Sequence, residues 1–142
     1  MSEPAQLMAA RERLSRAEST FRSADGLAQL EEGLALLEEV ILDGAAEHRA
    51  IAGNLLSTYS NRICAAIRRR VESDRGLPEP ELEHLFKVLL AFDVANVELP
   101  EYVASLKIDV ARRLIDFYYE GHSAEEKQKV LEQLTGIAAS RR

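Results

Sequence analysis

Apolar residues recur at intervals of three and four along almost the whole chain, in six stretches parted by short Gly, Pro, Ser and Asp breaks. Such intervals gather apolar side chains on one face of an α-helix, and no stretch alternates as a half-buried strand does. The pattern predicts an all-α protein: six antiparallel helices as three stacked hairpins, either a short solenoid or a compact helical bundle, in a single domain over residues 1–142.

The first stretch runs from about Pro4 to Arg22, with Leu7, Ala10, Leu14, Ala17 and Phe21 on its face. Ser23-Ala24-Asp25-Gly26 reads as a break, and Leu27, Leu30, Leu34, Leu37 and Ile41 carry the second helix. Asp43-Gly44 closes it, Gly44 suiting a left-handed cap. The third helix, about Ala46 to Glu72, is expected to turn Ile51, Leu55, Tyr59, Ile63 and Ile67 inward. Asp74-Arg75-Gly76-Leu77-Pro78-Glu79-Pro80 is the clearest loop. The fourth helix covers about Pro80 to Val97, and its Val88–Phe92 run, apolar nearly all round, marks the most buried element. Pro100 suits the first position of a fifth helix. That helix bears two stripes: Val103, Leu106, Val110, Leu114, Phe117, and Ile108, Ala111, Ile115, Tyr118. Gly121-His122 stops it. Ser123-Ala124-Glu125-Glu126 then has capping-box form, ahead of a sixth helix with Val130, Leu131, Leu134 and Ile137 inward.

With 46% apolar residues, 142 residues bury enough surface to hold a core without a disulfide or metal staple. The net charge of −6 opposes nonspecific attraction to nucleic acid or anionic lipid, so neither is expected as a partner. Cys64, the single cysteine, has no internal disulfide partner. The Met-Ser-Glu-Pro start lacks signal-peptide character, and Val88–Phe92, the longest purely apolar run, is far too short to span a bilayer. A cytoplasmic location is the expectation.

Sliding the second and third helices by 55 positions lays Leu30 on Leu85, Leu34 on Leu89, Leu37 on Phe92, Leu55 on Val110, Tyr59 on Leu114 and Ile63 on Tyr118. The passage Gly53-Asn54-Leu55-Leu56-Ser57-Thr58-Tyr59 resembles the first helix of a tetratricopeptide repeat, where small and large apolar residues precede a Tyr. Leu34-Ala35-Leu36-Leu37-Glu38-Glu39-Val40-Ile41 resembles that family's second helix. The resemblance spans about a third of the chain; it departs from the family's period of about 34 residues and in the length of the third helix. It implies a TPR-like protein that binds another protein or a peptide. Some family members grip a C-terminal carboxylate with Lys and Asn. Carried over, Asn54 and Asn61, with Arg62, would line one face of the third helix, although the family's Lys is replaced by Ala50.

Other candidates come from the residues themselves. From Asp25 to Glu47 there are seven acidic residues and no Lys or Arg, with Glu31, Glu32, Glu38 and Glu39 in two pairs a heptad apart. Like charges on one edge repel, so a basic partner would relieve them. Arg62, Arg68, Arg69, Arg70 and Arg75 form an opposite cluster whose nearest outlet is that acidic helix, within the chain or across a dimer. A homodimer also fits the heptad spacing of the first two helices. Glu81 and His84 have Glu-x-x-His spacing, but no second copy accompanies them to complete a bundle metal site, so no metal or cofactor is expected. Cys64 lies beside the Ile63/Ile67 stripe, which suits a half-buried structural thiol. No nucleophile elbow, phosphate-cradling loop or zinc motif occurs. The expectation is a non-enzymatic adaptor, assembly factor or small chaperone, contacting its partner through Asn54, Asn61, Arg62, Glu31, Glu38 and Glu39. The alternative is a bundle holding a small-molecule effector among Tyr59, Tyr118 and Tyr119.

Overall fold

The structure, a computed structural model, describes residues 5–95 and 97–135, apart from the side chains of Val94 and Thr135. The described residues form α1 (Ala5–Thr20), α2 (Ala24–Asp43), α3 (Ala46–Ser73), α4 (Glu79–Val94), α5 (Tyr102–Tyr118) and α6 (Ala124–Thr135), with no strand among them.

α1 and α2 share the largest interface of any helix pair, and α2–α3, α4–α5 and α5–α6 also pack as chain neighbours. α1 further touches α3, and α2 touches α4. All substantial contacts thus join helices one or two places apart in the chain, the connectivity of a stack rather than a closed ring. One connected core runs through it, from Leu7 and Leu14 through Leu37, Ile63, Ile67, Leu85 and Leu89 to Val110 and Leu131. Each fully buried leucine or isoleucine contributes about 1.5–3 kcal/mol of transfer free energy. In the Val88–Phe92 run, Val88, Leu89 and Phe92 have no exposed surface, but Leu90 and Ala91 are half-buried, so this stretch is not enclosed all round as its apolar pattern led one to expect.

Several local expectations change. α2 begins at Ala24, because Ser23 is its N-cap and accepts the Gly26 N–H at 3.2 Å. Gly26 is therefore helical, and its lack of a side chain serves close approach: a Cβ there would fall 1.8 Å from the Thr20 carbonyl oxygen. Gly44 caps α2 in extended backbone (φ −78°), not left-handed; among the described glycines, the left-handed position is Gly121, with φ 88°. α4 ends at Val94, short of Val97, and α5 starts at Tyr102, with Pro100 just ahead and its carbonyl accepting the Val103 N–H.

The inward face of α3 is Ala52, Ser60, Ile63, Cys64, Ile67 and Val71, so Ile51, Leu55 and Tyr59 sit at its half-buried margin. Ser60 is tolerated inside because its hydroxyl donates to the Leu56 carbonyl. In the sixth helix Ser123 caps the Glu126 N–H as a capping box should, but Glu126 receives the Ser123 hydroxyl and faces His122 Nδ1 at 2.8 Å. Phe117, Tyr118 and Leu134 are largely exposed, against expectation, and Ile137 lies outside the described residues.

Candidate functional site

α2 buries Leu30, Gly33, Leu34, Leu37 and Val40 against α1 and the core. Helical geometry then fixes what the other side presents: Ala28, Glu31, Ala35, Glu38 and Leu42, all exposed. Arg22, in the α1–α2 turn, reaches Glu81 at the start of α4, so α2 and α4 begin side by side and run parallel. Farther along, Glu31, Leu34, Ala35 and Glu38 of α2 face Ala91 and Ala95 across a groove of about 200 Å³. Alanines on both walls keep it open. Glu31 and Glu38 stand at its edge with no ion pair or hydrogen bond among the described residues.

The acidic row divides around this groove. Glu32 turns to α1 and pairs with Arg13 at 3.2 Å, and Glu39 accepts a hydrogen bond from Gln6 at 2.9 Å. Of the three nominated carboxylates, the fold brings Glu31 and Glu38 together and turns Glu39 away. The floor residues Ala35, Ala91 and Ala95 were missed, since alanine is at home in core and surface alike and carries no pattern of its own.

The other nominated set does not assemble. Asn61 lines a second groove, with Gly53, Leu56 and Ser57 of α3 facing Leu99 and Pro100. Asn54 is exposed a heptad away on the same face. Arg62 turns instead to α1, pairing with Glu18 at 2.8 Å and lying 5.3 Å from the centre of the Tyr59 ring.

Of the arginine cluster, Arg68 and Arg70, like Arg62, find outlets other than the acidic second helix. Arg68 pairs with Glu72 at 2.8 Å and lies over the Tyr102 ring, while Arg70 binds Glu81 through two nitrogens at 2.7 and 3.0 Å. The Arg70 bonds, with Arg22 adding to them against the opposing cost of burial, hold the Glu81 carboxyl down at about 2. Arg113, paired with Asp109 at 3.2 Å as its spacing implies, also donates to the Val71 and Asp74 carbonyls at the end of α3. This network ties the α1–α2 turn, the end of α3, the start of α4 and the middle of α5. Asp116 pairs with Lys127 of α6.

Glu81 and His84, at Glu-x-x-His spacing, fall in different surroundings. Glu81 is held by two guanidiniums, and no group of three metal-ligating side chains gathers among the described residues. His84 Nδ1 is buried without a hydrogen-bond partner among the described residues. Cys64 is wholly buried, not half-buried, and that burial, with Asp93 adding to it, pushes the thiol up to about 12, which disfavours the thiolate. The three tyrosines make different contacts: Tyr59 in a groove with Met8 and Ser15 of α1, Tyr118 hydrogen-bonded to Glu83, and Tyr119 edge-on to His122. Among the described residues no helix is long and apolar enough to cross a membrane. No family model matches this chain, and comparison with curated proteins and with solved structures finds no match either.

Proposed function

We propose that this chain is a non-enzymatic interaction module of the helical-hairpin type, seating a segment of another protein in the grooves between its helices. The observation that carries this reading is the pair Glu31 and Glu38, without an ion pair or hydrogen bond among the described residues, beside an apolar groove, while Glu32 on the same helix is neutralised by Arg13. Two unneutralised carboxylates on one helix edge repel each other mildly, a cost that a bound partner removes. Stacked helices supply rigid walls for such docking, and the TPR-like resemblance of the second and third helices points the same way. The second groove, at Asn61, offers an alternative seat.

The test is photo-crosslinking in cells from a reactive amino acid placed at Ala35 or at Ser57, one in each groove. A partner recovered from either position, and forming a stoichiometric complex with the purified protein, supports the reading. Failure to recover a stoichiometric partner from both positions overturns it.

A further inference from the structure

The outward row of α2 is a heptad seam without an occupant among the described residues. Ala28, Ala35 and Leu42 stand seven apart with Glu31 and Glu38 between them. Leu42, at 71%, is the most exposed large apolar side chain described. This is the spacing by which one helix packs along another, and α2 has already committed its opposite face to α1 and the core. Alanine at the seam lets a second backbone approach closely, and Leu42 offers an anchor at the end of the row. A glutamate at a seam position is accommodated only by a cation, since burying it unpaired is costly.

The charge pattern selects the partner further. No Lys or Arg occurs between Asp25 and Glu47. Lys87, on α4 between His84 and Ala91, is held by Glu83 at 2.9 Å. An acidic segment would be repelled along the whole length of α2. Glu31 and Glu38 are about 10.5 Å apart along the axis, the rise of seven residues on any facing helix.

Resting on the interaction-module reading above, we infer that the α2–α4 groove receives one amphipathic α-helix of a basic partner protein. Its small and apolar residues lie on Ala35, Ala91 and Ala95, and Lys or Arg side chains seven residues apart pair with Glu31 and Glu38.

The probe is a display library of random peptides about sixteen residues long, enough for a 24 Å helix, selected on the full chain. The expected winners carry basic residues seven apart flanking small or apolar ones. A synthetic winner titrated by fluorescence anisotropy should bind about fivefold more weakly to Glu31→Gln or Glu38→Gln and about twentyfold more weakly to the double variant. Raising the salt should weaken binding to the wild type and scarcely change that to the double variant. Both positions are exposed, and circular dichroism checks that the variants remain folded. Acidic or extended winners, no winners at all, or binding indifferent to the double variant would each overturn the assignment. So would a dimer of the wild type, seen by sedimentation, that the double variant abolishes, because the groove would then belong to a second copy. A stoichiometric partner crosslinked from Ser57 but not from Ala35 removes this occupant and leaves the module reading standing; no partner from either position removes both.

Discussion

The α1–α2 hairpin and the α5–α6 hairpin are both built from amphipathic helices joined by a short turn, and they use their apolar residues differently. In α1 the inward face of Leu7, Ala10, Leu14 and Ala17 is at most 1% exposed, and Gly26 lets α2 close against the end of α1, while the exposed apolar residues Met8 and Leu42 of this hairpin lie off that face. In α5 and α6, Leu131 is 4% exposed while Leu134 and Phe117 stand at 43% and 51%. The lesson is one of side-chain size. Alternating leucine with alanine and glycine lets two helices interdigitate at close range, so a narrow apolar face is wholly consumed. Larger side chains spread over a wider arc leave some of that arc in water. The heptad faces proposed for dimerisation are, in α1 and in the inward half of α2, already used within the hairpin.

Core truncation should separate the two hairpins most. Leu14→Ala removes a fully buried side chain and is expected to cost about 3–4 kcal/mol in urea unfolding, whereas Leu134→Ala should cost less than about 0.5 kcal/mol. Equal losses would show that both ends are packed alike.

Next come the glycines. Gly26→Ala drives a methyl into the Thr20 backbone, which cannot swing aside, and should cost about 2–3 kcal/mol. Gly53, in mid-α3, has nothing within 4 Å of a Cβ position. Gly53→Ala should therefore stabilise the protein by about 0.5–1 kcal/mol, read as a rise in Tm. A loss at Gly53 would mean that the two glycines serve the same purpose.

A pH-dependent effect sharpens the role of the ionic tie between the hairpins. The Glu81 carboxyl is held near 2 in the folded protein against an ordinary 4.5, so its contribution is complete above about pH 5. That contribution fades as the pH falls through the lower value, because protonation breaks the Arg70 and Arg22 pairs. Glu81→Gln should cost about 1–2 kcal/mol at neutral pH, the partial exposure of the arginines limiting the value, and should flatten the acid limb of the stability curve. An acid limb unchanged in the variant would assign the acid sensitivity to other groups.

The 55-residue correspondence divides along the same line. Leu30 and Leu85, Leu34 and Leu89, and Leu37 and Phe92 are buried pairs, so α2 and α4 bury corresponding positions. Ile63 is wholly buried while its counterpart Tyr118 is half in water, so α3 and α5 are not.

Helix number, helix type and most of the buried residues were legible in the chain because periodicity is a property of one helix by itself. Leu7, Leu14, Leu30 and Leu37 declare an inward face whatever they meet. In the first half of α3 the reading slipped toward Ile51, Leu55 and Tyr59, because small Ala52 and polar Ser60 mark the true face only when the neighbouring helices are in place. Glu31 and Glu38 were legible as charges on an edge. That they flank a groove floored by Ala91 and Ala95, while Glu39 turns to Gln6, was decided by the packing of α2 along α4 and α1. Local pattern sets what a helix is. What two helices distant in the chain form together depends on their approach and register, and no single segment encodes either.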